Sequence, residues 1–271
     1  MQGTGISVEG LSHAYGLTGT RRVLALDTIA LAVAPGEFHA LLGPSGCGKS
    51  TLLYLIGGFL AIQEGAIRTA RGAVTGPGRD RGIVFQNFAL FPWKTVRQNV
   101  LYGLEKLRVP VAERRERAQH FIDLVALTGF EDSFPAQLSG GMQQRAAIAR
   151  TLATDPDVLL MDEPFGALDA QTRRLMQEEL LAIWRRTNKT VVFVTHDVQE
   201  AVLLADRISI MSARPGRIRQ VVEADFNRHA GDSVLKLPAF GERVELIWGL
   251  LRDEVRAAAG GRIAAASGGG R

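Results

Sequence analysis

A glycine-rich segment fits the pattern G-x-x-x-x-G-K-S/T. Its glycines would let backbone N–H groups curl around a β-phosphate, while the lysine reaches the outer phosphates and the serine beside it ligates Mg²⁺. With typical residue frequencies such a match arises by chance in on the order of one chain per hundred of this length, which disfavours an ordinary glycine turn. The segment consists of Gly43, Pro44, Ser45, Gly46, Cys47, Gly48, Lys49, Ser50 and Thr51.

Two carboxylates follow an apolar stretch, residues 158–161, that predicts a buried strand. Asp162 would then lie at the carboxyl edge of a sheet and hold Mg²⁺ through water. Glu163 lies one residue further, outside the immediate reach of the metal, and suits a general base that polarises the water attacking a γ-phosphate. Acidic residues after a strand are also common helix caps, so this interpretation depends on the phosphate loop.

Two further polar residues follow predicted strands. His196 comes directly after residues 191–195, and we expect it to touch the γ-phosphate or orient the water. Gln86 ends the apolar stretch 82–85, and its neutral amide can bind metal or water without adding charge, although alone it is a weak signal. The remaining histidines lack such a setting and are predicted to be packing or surface residues: His13, His39, His120 and His229.

A second anion site is predicted where a helix begins after Leu138. Ser139 would cap that helix, and Gly140 and Gly141 would leave N–H groups free at the positive end of the helix dipole. A chain with one bound triphosphate does not obviously need a second phosphate site. These residues alone leave the purpose of the second site open.

The elements that must position these residues follow from the apolar pattern. Residues 6–42 predict antiparallel strands leading into a buried strand at 38–42, and residues 49–57 carry apolar side chains at helical spacing. The phosphate loop therefore joins a strand to a helix. Residues 87–155 predict a helical insert.

Beyond Pro156 the order is strand, helix, strand, at residues 158–161, about 172–186 and 191–194, which implies a parallel sheet covered on both faces. Residues 242–259 predict an amphipathic helix whose apolar stripe is typical of core packing. Residues 260–271 are rich in Gly, Ala and Ser and are predicted to be disordered. The stripe consists of Val244, Ile247, Trp248, Leu251 and Val255.

The composition of the chain excludes several classes of protein. The chain has 271 residues, of which 46% are hydrophobic, enough for a folded core. Its net charge of +4 comes from scattered basic residues, so we expect no nucleic-acid groove. The single cysteine, Cys47, excludes an internal disulfide. No apolar run approaches the ~18 residues that span a bilayer, and the first ten residues do not form a secretory signal, so attachment to a membrane would require a partner.

Together the motifs resemble, in order and spacing, the full set of the ABC ATPases over about residues 6–219: the phosphate loop, Gln86, 138–143, 158–163, Ala167-Leu168-Asp169 and His196. The resemblance implies an α/β fold, a P-loop NTPase with a RecA-like parallel core sheet, an N-terminal antiparallel β subdomain and a helical insert subdomain. We expect the ATPase cassette at residues 1–225 with the helical subdomain at about 87–155. A helical extension at 226–259 and the tail at 260–271 would follow.

The resemblance also implies a head-to-tail dimer of two copies, with ATP and Mg²⁺ between the phosphate loop of one copy and Ser139, Gly140 and Gly141 of the other. Such a dimer explains the second anion site. By the same resemblance Tyr15 stacks on adenine, Gln86 is the lid-loop glutamine, and Asp169 lies in the loop that crosses the dimer interface. Met142 stands where the widely quoted signature has glutamine, but the serine and both glycines are present.

In ABC importers the segment after the lid-loop glutamine lines a groove that receives a helix of the membrane subunit. The alternative is that its aromatic rings only pack the helical insert. The absence of a fused membrane span resembles importers with separate permease subunits. The residues of that segment here are Phe88, Leu90, Phe91, Pro92 and Trp93.

Three short motifs further resemble the nitrate, sulfonate and taurine uptake group: Phe91-Pro92-Trp93, residues 165–169 and Arg214-Pro215-Gly216. The resemblance thus implies two integral-membrane permease subunits and, indirectly, a periplasmic or extracellular solute-binding protein. It places the chain peripherally on the cytoplasmic face of the inner membrane, with no nucleic-acid partner.

Two other function classes compete with this hypothesis. A soluble ABC ATPase of DNA repair or translation usually carries long coiled-coil inserts or two cassettes in one chain, and neither is seen here. A nucleotide-dependent scaffold without catalysis is disfavoured because Glu163 and His196 are both present.

Overall fold

The computed structural model describes residues 5–16, 22–166, 168–224, 226 and 234–267, without the side chains of residues 253 and 255–267. The chain divides into two compact units, Met1–Pro77 with Val192–Arg271, and Gly78–Val191. The strands are β1 (Ile6–Tyr15), β2 (Val23–Val33), β3 (Phe38–Leu42), β4 (Glu64–Thr69), β5 (Gly72–Ala73), β6 (Arg81–Val84), β7 (Val158–Asp162), β8 (Thr190–Thr195), β9 (Arg207–Met211) and β10 (Ile218–Glu223). The helices are α1 (Lys49–Gly57), α2 (Val96–Lys106), α3 (Val111–Leu124), α4 (Gly140–Leu152), α5 (Ala170–Thr187), α6 (Val198–Leu204) and α7 (Pro238–Ser267).

The first unit opens with an antiparallel sheet of strand order β2-β1-β4-β5. Strands β1 and β2 pair from Ile6↔Val33 to Tyr15↔Val23, with irregularities after Val8. Ile6 and Val33 are completely buried, because alternate side chains along each strand face the same side of the sheet. The predicted N-terminal antiparallel strands are thus present. Residues 17–21, between these two strands, lie outside the described residues.

A second sheet of the first unit has the order β10-β9-β3-β8. Strand β3 runs parallel to β9, from His39↔Arg207 to Leu42↔Ile210, and β10 is antiparallel to β9. All five residues of β3 are buried, which is the signature of a strand covered on both faces. The phosphate loop starts directly after Leu42, so it is held at the end of a strand that cannot shift without disturbing the core.

The histidines of β1 and β3 are buried, as the sequence predicts. His39 is completely buried, and its ring nitrogens contact the Glu37 carboxylate at 2.7 Å and the Ser209 hydroxyl at 2.8 Å. His13 is buried as well, whereas His120 is exposed on α3. His229 lies outside the described residues.

The second unit contains the parallel pair β6 and β7 and the helices α2 to α5. The predicted helical insert corresponds to α2, α3 and α4. Helix α2 starts with a capping box, in which Thr95 accepts from the Gln98 N–H and the Gln98 side chain accepts from the Thr95 N–H. Helices α4 and α5 are capped by Ser139 and Asp169. The Ser139 side chain accepts one hydrogen bond from a backbone N–H of the first turn, and the Asp169 side chain accepts two.

Helix α7 is longer at both ends than the helix predicted at residues 242–259. Its C-terminal part includes residues 260–267 of the predicted tail, because the Ala-rich sequence there favours helix, while residues 268–271 lie outside the described residues. Ile247 and Leu251, four residues apart, are buried. The prediction that Trp248 packs in the same stripe is wrong: it is 47% exposed, since it lies about 100° around the helix from Ile247. Within the described ranges, no helix is long and apolar enough to cross a membrane.

Candidate nucleotide-binding and catalytic site

The phosphate loop has a backbone that only glycine fits at one of its positions. Gly48 has φ +103°, and a methyl group there would lie 2.7 Å from Leu26 Cδ2. Gly46, at the exposed tip, also has positive φ, at +79°. These conformations turn successive backbone N–H groups of a loop towards one side, which is how a backbone cradles an anion.

The amino end of α1 suits a phosphate. Its cap residue, Gly48, supplies no side-chain hydrogen bond, and its first turn contains no acidic residue. The orphan N–H groups and the positive end of the helix dipole therefore fit a bound anion. Ser50 and Thr51, in the first turn, add hydroxyl oxygens of the kind that Mg²⁺ accepts.

Lys49 folds back across the loop that it follows. Its side chain is only 5% exposed, and its ammonium donates hydrogen bonds to the carbonyl oxygens of Gly43 at 2.8 Å and Pro44 at 3.1 Å. A buried cation held by two neutral carbonyls would gain from an anionic partner. The Cys47 side chain is buried under the loop, so only the backbone of this residue is available to a ligand.

Tyr15 lies beside the phosphate loop. Its hydroxyl is 3.1 Å from the Thr51 hydroxyl, its ring is 46% exposed, and the His13 ring packs against it edge to face at 4.9 Å. An exposed aromatic ring fixed at two points next to a phosphate site can stack on a base. This position supports the expectation that Tyr15 contacts adenine.

His196 also belongs to the first unit. It follows the last residue of β8, the strand beside β3, and it is exposed. Directly after it, Asp197 caps α6 by accepting from the N–H groups of Gln199 and Glu200. The cap fixes the backbone at the point where the imidazole leaves the sheet.

In the second unit, strand register brings Gln86 and Glu163 together. Val84 is opposite Met161 in the parallel pair β6 and β7, and each of the two polar residues follows two positions later. A methyl group on Gly166, in the turn after Glu163, would lie 3.4 Å from Gln86 Nε2. The amide thus lies beside the turn that carries the predicted base.

The two carboxylates at the end of β7 differ in setting. Asp162 is the last residue of the strand and is 5% exposed, whereas Glu163 is half-buried with φ +44°. Left-handed backbone is unfavourable for a residue with a Cβ and is concentrated at functional sites. This strain was not apparent from the sequence; Glu163 shares it with seven other non-glycine residues among those that the structure describes, and of these it is the one that directly follows β7.

The second predicted anion site has the expected cap. Ser139 Oγ accepts from the Met142 N–H at 3.3 Å, and both Ser139 and Gly140 are exposed. Gly141 is buried, and a methyl group there would lie 3.0 Å from Thr172 Cγ2 of α5. Glycine at this position therefore allows α4 and α5 to approach each other, in addition to exposing the helix end.

Asp169 caps α5. Its carboxylate accepts from the N–H groups of Gln171 and Thr172 and from the Thr172 hydroxyl, and these hydrogen bonds hold the pKa of Asp169 below its ordinary value. Asp169 is exposed and stays charged at neutral pH, so it is available for the predicted interface contact. Its neighbour Ala167, which belongs to the same predicted loop, lies outside the described residues.

The side chains of the aromatic segment after Gln86, residues 88–93, differ in burial. Phe88 is buried, while Trp93 is 69% exposed and Pro92 is exposed as well. Arg150 of α4 donates to the Ala89 and Phe88 carbonyls, and burial lowers the pKa of its guanidinium. Helix α4, which begins in the signature motif of residues 138–143 and is called the signature helix below, is therefore hydrogen-bonded directly to this segment.

Asn99 is a structural residue of the same region that the motifs did not reveal. It is completely buried, its Oδ1 accepts from the Phe91 N–H at 2.9 Å, and its Nδ2 donates to the carbonyls of Phe91, Lys94 and Thr95. Its only sequence signal is a polar residue among the apolar positions of α2. Asn99 fixes the segment whose exposed end carries Trp93.

We expect Asn99→Ala to lower the free energy of unfolding by about 3 kcal/mol, because it removes the four hydrogen bonds that the Asn99 side chain makes to the backbone of residues 91–95. Urea denaturation monitored by circular dichroism measures the change. The exposed amide Asn87 provides the control, since Asn87→Ala should leave stability within about 0.5 kcal/mol. Equal stability of the two variants would contradict the role of Asn99.

Comparison with known proteins identifies a family. The family model described as ABC transporter matches residues 26–166. An uncharacterised ABC transporter ATP-binding protein of Methanocaldococcus jannaschii is 52% identical over 250 residues, 92% of each chain. The taurine import ATP-binding protein TauB of Roseobacter denitrificans is 44% identical over 97% of this chain and 100% of its own. The nitrate import ATP-binding protein NrtD of a Synechocystis strain is 51% identical over 73% of this chain and 74% of its own.

A solved structure of an ATP-binding cassette is similar to this chain in fold and sequence. The dimeric post-hydrolysis state of an ATP-binding cassette bound to ADP and phosphate matches with a TM-score of 0.71 and 34% identity. The match covers 81% of this chain and 98% of that one. The two sheets and the helices described above accordingly have the P-loop NTPase fold of ATP-binding cassettes.

Proposed function

The chain belongs to the ABC transporter family, and on that premise we propose that it is the ATP-hydrolysing subunit of an importer with separate permease subunits. The observation that carries this proposal is the phosphate loop between β3 and α1. In this loop the buried Lys49 ammonium donates to the Gly43 and Pro44 carbonyls and lies 4.0 Å from the Cys47 sulfur. ATP binding follows from the family and from the loop. The names of the relatives, which include taurine and nitrate import proteins, favour import over DNA repair or translation.

The phosphate loop and Tyr15 would divide the recognition of ATP between them. Backbone N–H groups of residues 45–51 and the Lys49 ammonium bind the phosphates, and the exposed Tyr15 ring stacks on adenine. Charge-assisted hydrogen bonds from backbone and ammonium are roughly twice as strong as neutral ones. Most of the affinity should therefore reside in the phosphates rather than in the base.

Ser50, Gln86 and Asp162 would supply hydroxyl, amide and carboxylate oxygens, the ligand types that Mg²⁺ accepts while keeping several waters. When bound, Mg²⁺ neutralises the charge that develops on the transferred phosphoryl group. Asp162, the last residue of a buried strand, would orient such an ion through water.

Glu163 would act as the general base. Its carboxylate accepts a proton from the attacking water while the oxygen of that water bonds to the γ-phosphorus and the bond to the β-phosphate oxygen breaks. His196 would hold the γ-phosphate in line by donating a hydrogen bond from its imidazole. Gln86 would orient the water with its amide, beside the turn that carries the base.

The Ser139 end of α4 would complete the site of a second copy. Ser139, Gly140 and Gly141 would contact the γ-phosphate held by the partner copy, and Asp169 would cross the interface. Dimerisation around ATP and separation after hydrolysis would then move the segment at residues 88–93. The structural neighbour in a dimeric state with ADP and phosphate supports this arrangement.

The exposed Pro92 and Trp93 suit a helix of a permease subunit, because aromatic residues are enriched at the cores of protein interfaces. With two such subunits the chain would lie peripherally on the cytoplasmic face of the inner membrane. The cargo would be an anion of the nitrate, sulfonate or taurine type, delivered by a solute-binding protein on the other side.

We expect Lys49→Ala to weaken ATP binding at least about tenfold, because the variant loses a charge-assisted contact to the phosphates. Equilibrium titration of the purified chain with Mg-ATP measures the dissociation constant. Lys236, an exposed lysine of the same unit, provides the control, and Lys236→Ala should bind like the wild type. Unchanged binding by a folded Lys49→Ala protein would refute the assignment of the loop.

A further inference from the structure

The loop between β9 and β10, residues 212–217, lies against the back of the phosphate loop. A methyl group on Gly216 would lie 2.1 Å from the Cys47 carbonyl oxygen, and one on Gly43 would lie 3.0 Å from the Met211 carbonyl oxygen. The two backbones therefore touch with no side chain between them. Arg214-Pro215-Gly216, which the proposed catalytic cycle does not use, is part of this contact.

The β9–β10 loop is internally bonded and therefore moves as a unit. Ser212 Oγ donates towards the Ala213 and Pro215 carbonyls and accepts from the Arg217 N–H at 2.9 Å, and the Ser212 N–H donates to the Arg217 carbonyl. Such a closed set of hydrogen bonds resists local deformation.

The same loop is joined to β2. The Gly216 N–H donates to the Ala25 carbonyl at 2.9 Å, and its carbonyl accepts from the Asp27 N–H at 3.0 Å. Gly48 of the phosphate loop packs on Ala25 and Leu26 of that strand. The phosphate loop is thus supported twice, directly by Gly216 and through β2.

Helix α7 holds the β9–β10 loop from outside through one carboxylate. Glu254 Oε2 accepts from the Ala213 N–H at 3.0 Å, and Oε1 lies 3.1 Å from Arg219 Nε on β10. The Glu254 side chain is 17% exposed. Leu251 and Ile247, about one and two turns before it, are buried and anchor the helix.

We propose that Glu254 is a positioning residue for ATP binding: it fixes the β9–β10 loop, and through Gly216 it fixes the phosphate loop. The inference rests on the proposed function of that loop. Backbone N–H groups bind phosphate only while they converge on one point, and displacement of a support that touches the loop backbone disturbs that convergence. Helix α7 therefore sets the nucleotide affinity without contacting the nucleotide.

The test compares substitutions of two carboxylates on α7 by titration of the full chain with Mg-ATP. Glu254→Ala should bind Mg-ATP about tenfold more weakly, because the β9–β10 loop loses one hydrogen bond to a charged group. Glu254→Gln keeps an oxygen that accepts from the Ala213 N–H and should restore most of the affinity. Glu245→Ala, at an exposed position of the same helix, should bind like the wild type.

The melting temperature without nucleotide is measured in parallel, and it should change little in any of the three variants. Wild-type affinity in Glu254→Ala would overturn the proposal, as would equal weakening in Glu254→Ala, Glu254→Gln and Glu245→Ala. If Glu254→Ala does not fold, Glu254→Asp replaces it, because its shortened side chain withdraws the carboxylate from Ala213 and should also weaken binding. A wild-type chain that does not bind ATP would instead refute the proposed function, so the two failures are distinguishable.

Discussion

Replacing Glu163 with glutamine is expected to lower ATP turnover at least about a hundredfold while ATP binding is retained. The amide has nearly the shape of the carboxylate but cannot accept the proton of the attacking water, and a general base contributes about 10²- to 10⁴-fold. Steady-state phosphate release at saturating Mg-ATP measures turnover, and equilibrium titration measures binding. Because hydrolysis would reopen the dimer, the variant should also accumulate as an ATP-bound dimer in size-exclusion chromatography.

The matched control is Glu116→Gln on α3, which removes one exposed negative charge and should turn over ATP like the wild type. Residue 163 has left-handed backbone, and glutamine experiences the same strain there as glutamate. The substitution should therefore remove the base without changing the stability of the turn. Turnover by Glu163→Gln at the wild-type rate would remove Glu163 from the role of base.

Local patterns predicted the elements that carry the candidate site. The uninterrupted apolar run of β3 and the glycines after it predicted a buried strand, a phosphate loop and a helix, and α1 has the predicted bounds Lys49–Gly57. These signals are contained in about twenty consecutive residues, where periodicity and turn chemistry determine the conformation.

The sequence could not reveal the contacts that support the site. Ala213 and Glu254 are separated by 41 residues, and neither residue type is unusual at its position. The positive φ of Glu163 depends on the turn that the chain makes after β7, which no propensity predicts for glutamate. Trp248 fitted the apolar stripe of α7 by approximate spacing, yet it is exposed while Ile247 and Leu251 are buried, because burial depends on what packs against the helix.

The same limit applies to the aromatic segment at residues 88–93. The sequence suggested a docking surface or a packed cluster, and it could not predict which rings would be buried. Phe88 is buried, with its carbonyl bonded to Arg150 of the signature helix, while Trp93 is exposed. Movement of α4 at a dimer interface would consequently reach this segment through Arg150, which gives the proposed coupling between ATP and a permease a physical route inside one unit.

A mixture of two inactive variants is expected to regain ATPase activity if the proposed dimer is head to tail. Lys49→Ala damages the phosphate loop and leaves the signature helix intact, whereas Ser139→Asp damages only the signature. Asp caps a helix as well as Ser does, so α4 should remain folded while the new carboxylate repels the γ-phosphate of the partner copy. Each variant alone should have at most about one hundredth of wild-type turnover, the scale of losing a site group.

In an equimolar mixture half of the dimers contain both variants, and each of those has one undamaged site formed by Lys49 of one copy and Ser139 of the other. Turnover should therefore rise to about a quarter of the wild-type value. Ser139→Asn keeps the helix cap without the charge and provides the control, with activity well above that of Ser139→Asp. If the mixture is no more active than its components, residues 138–143 do not complete the site of a second copy, because a nucleotide held within a single chain gains nothing from a partner's intact signature.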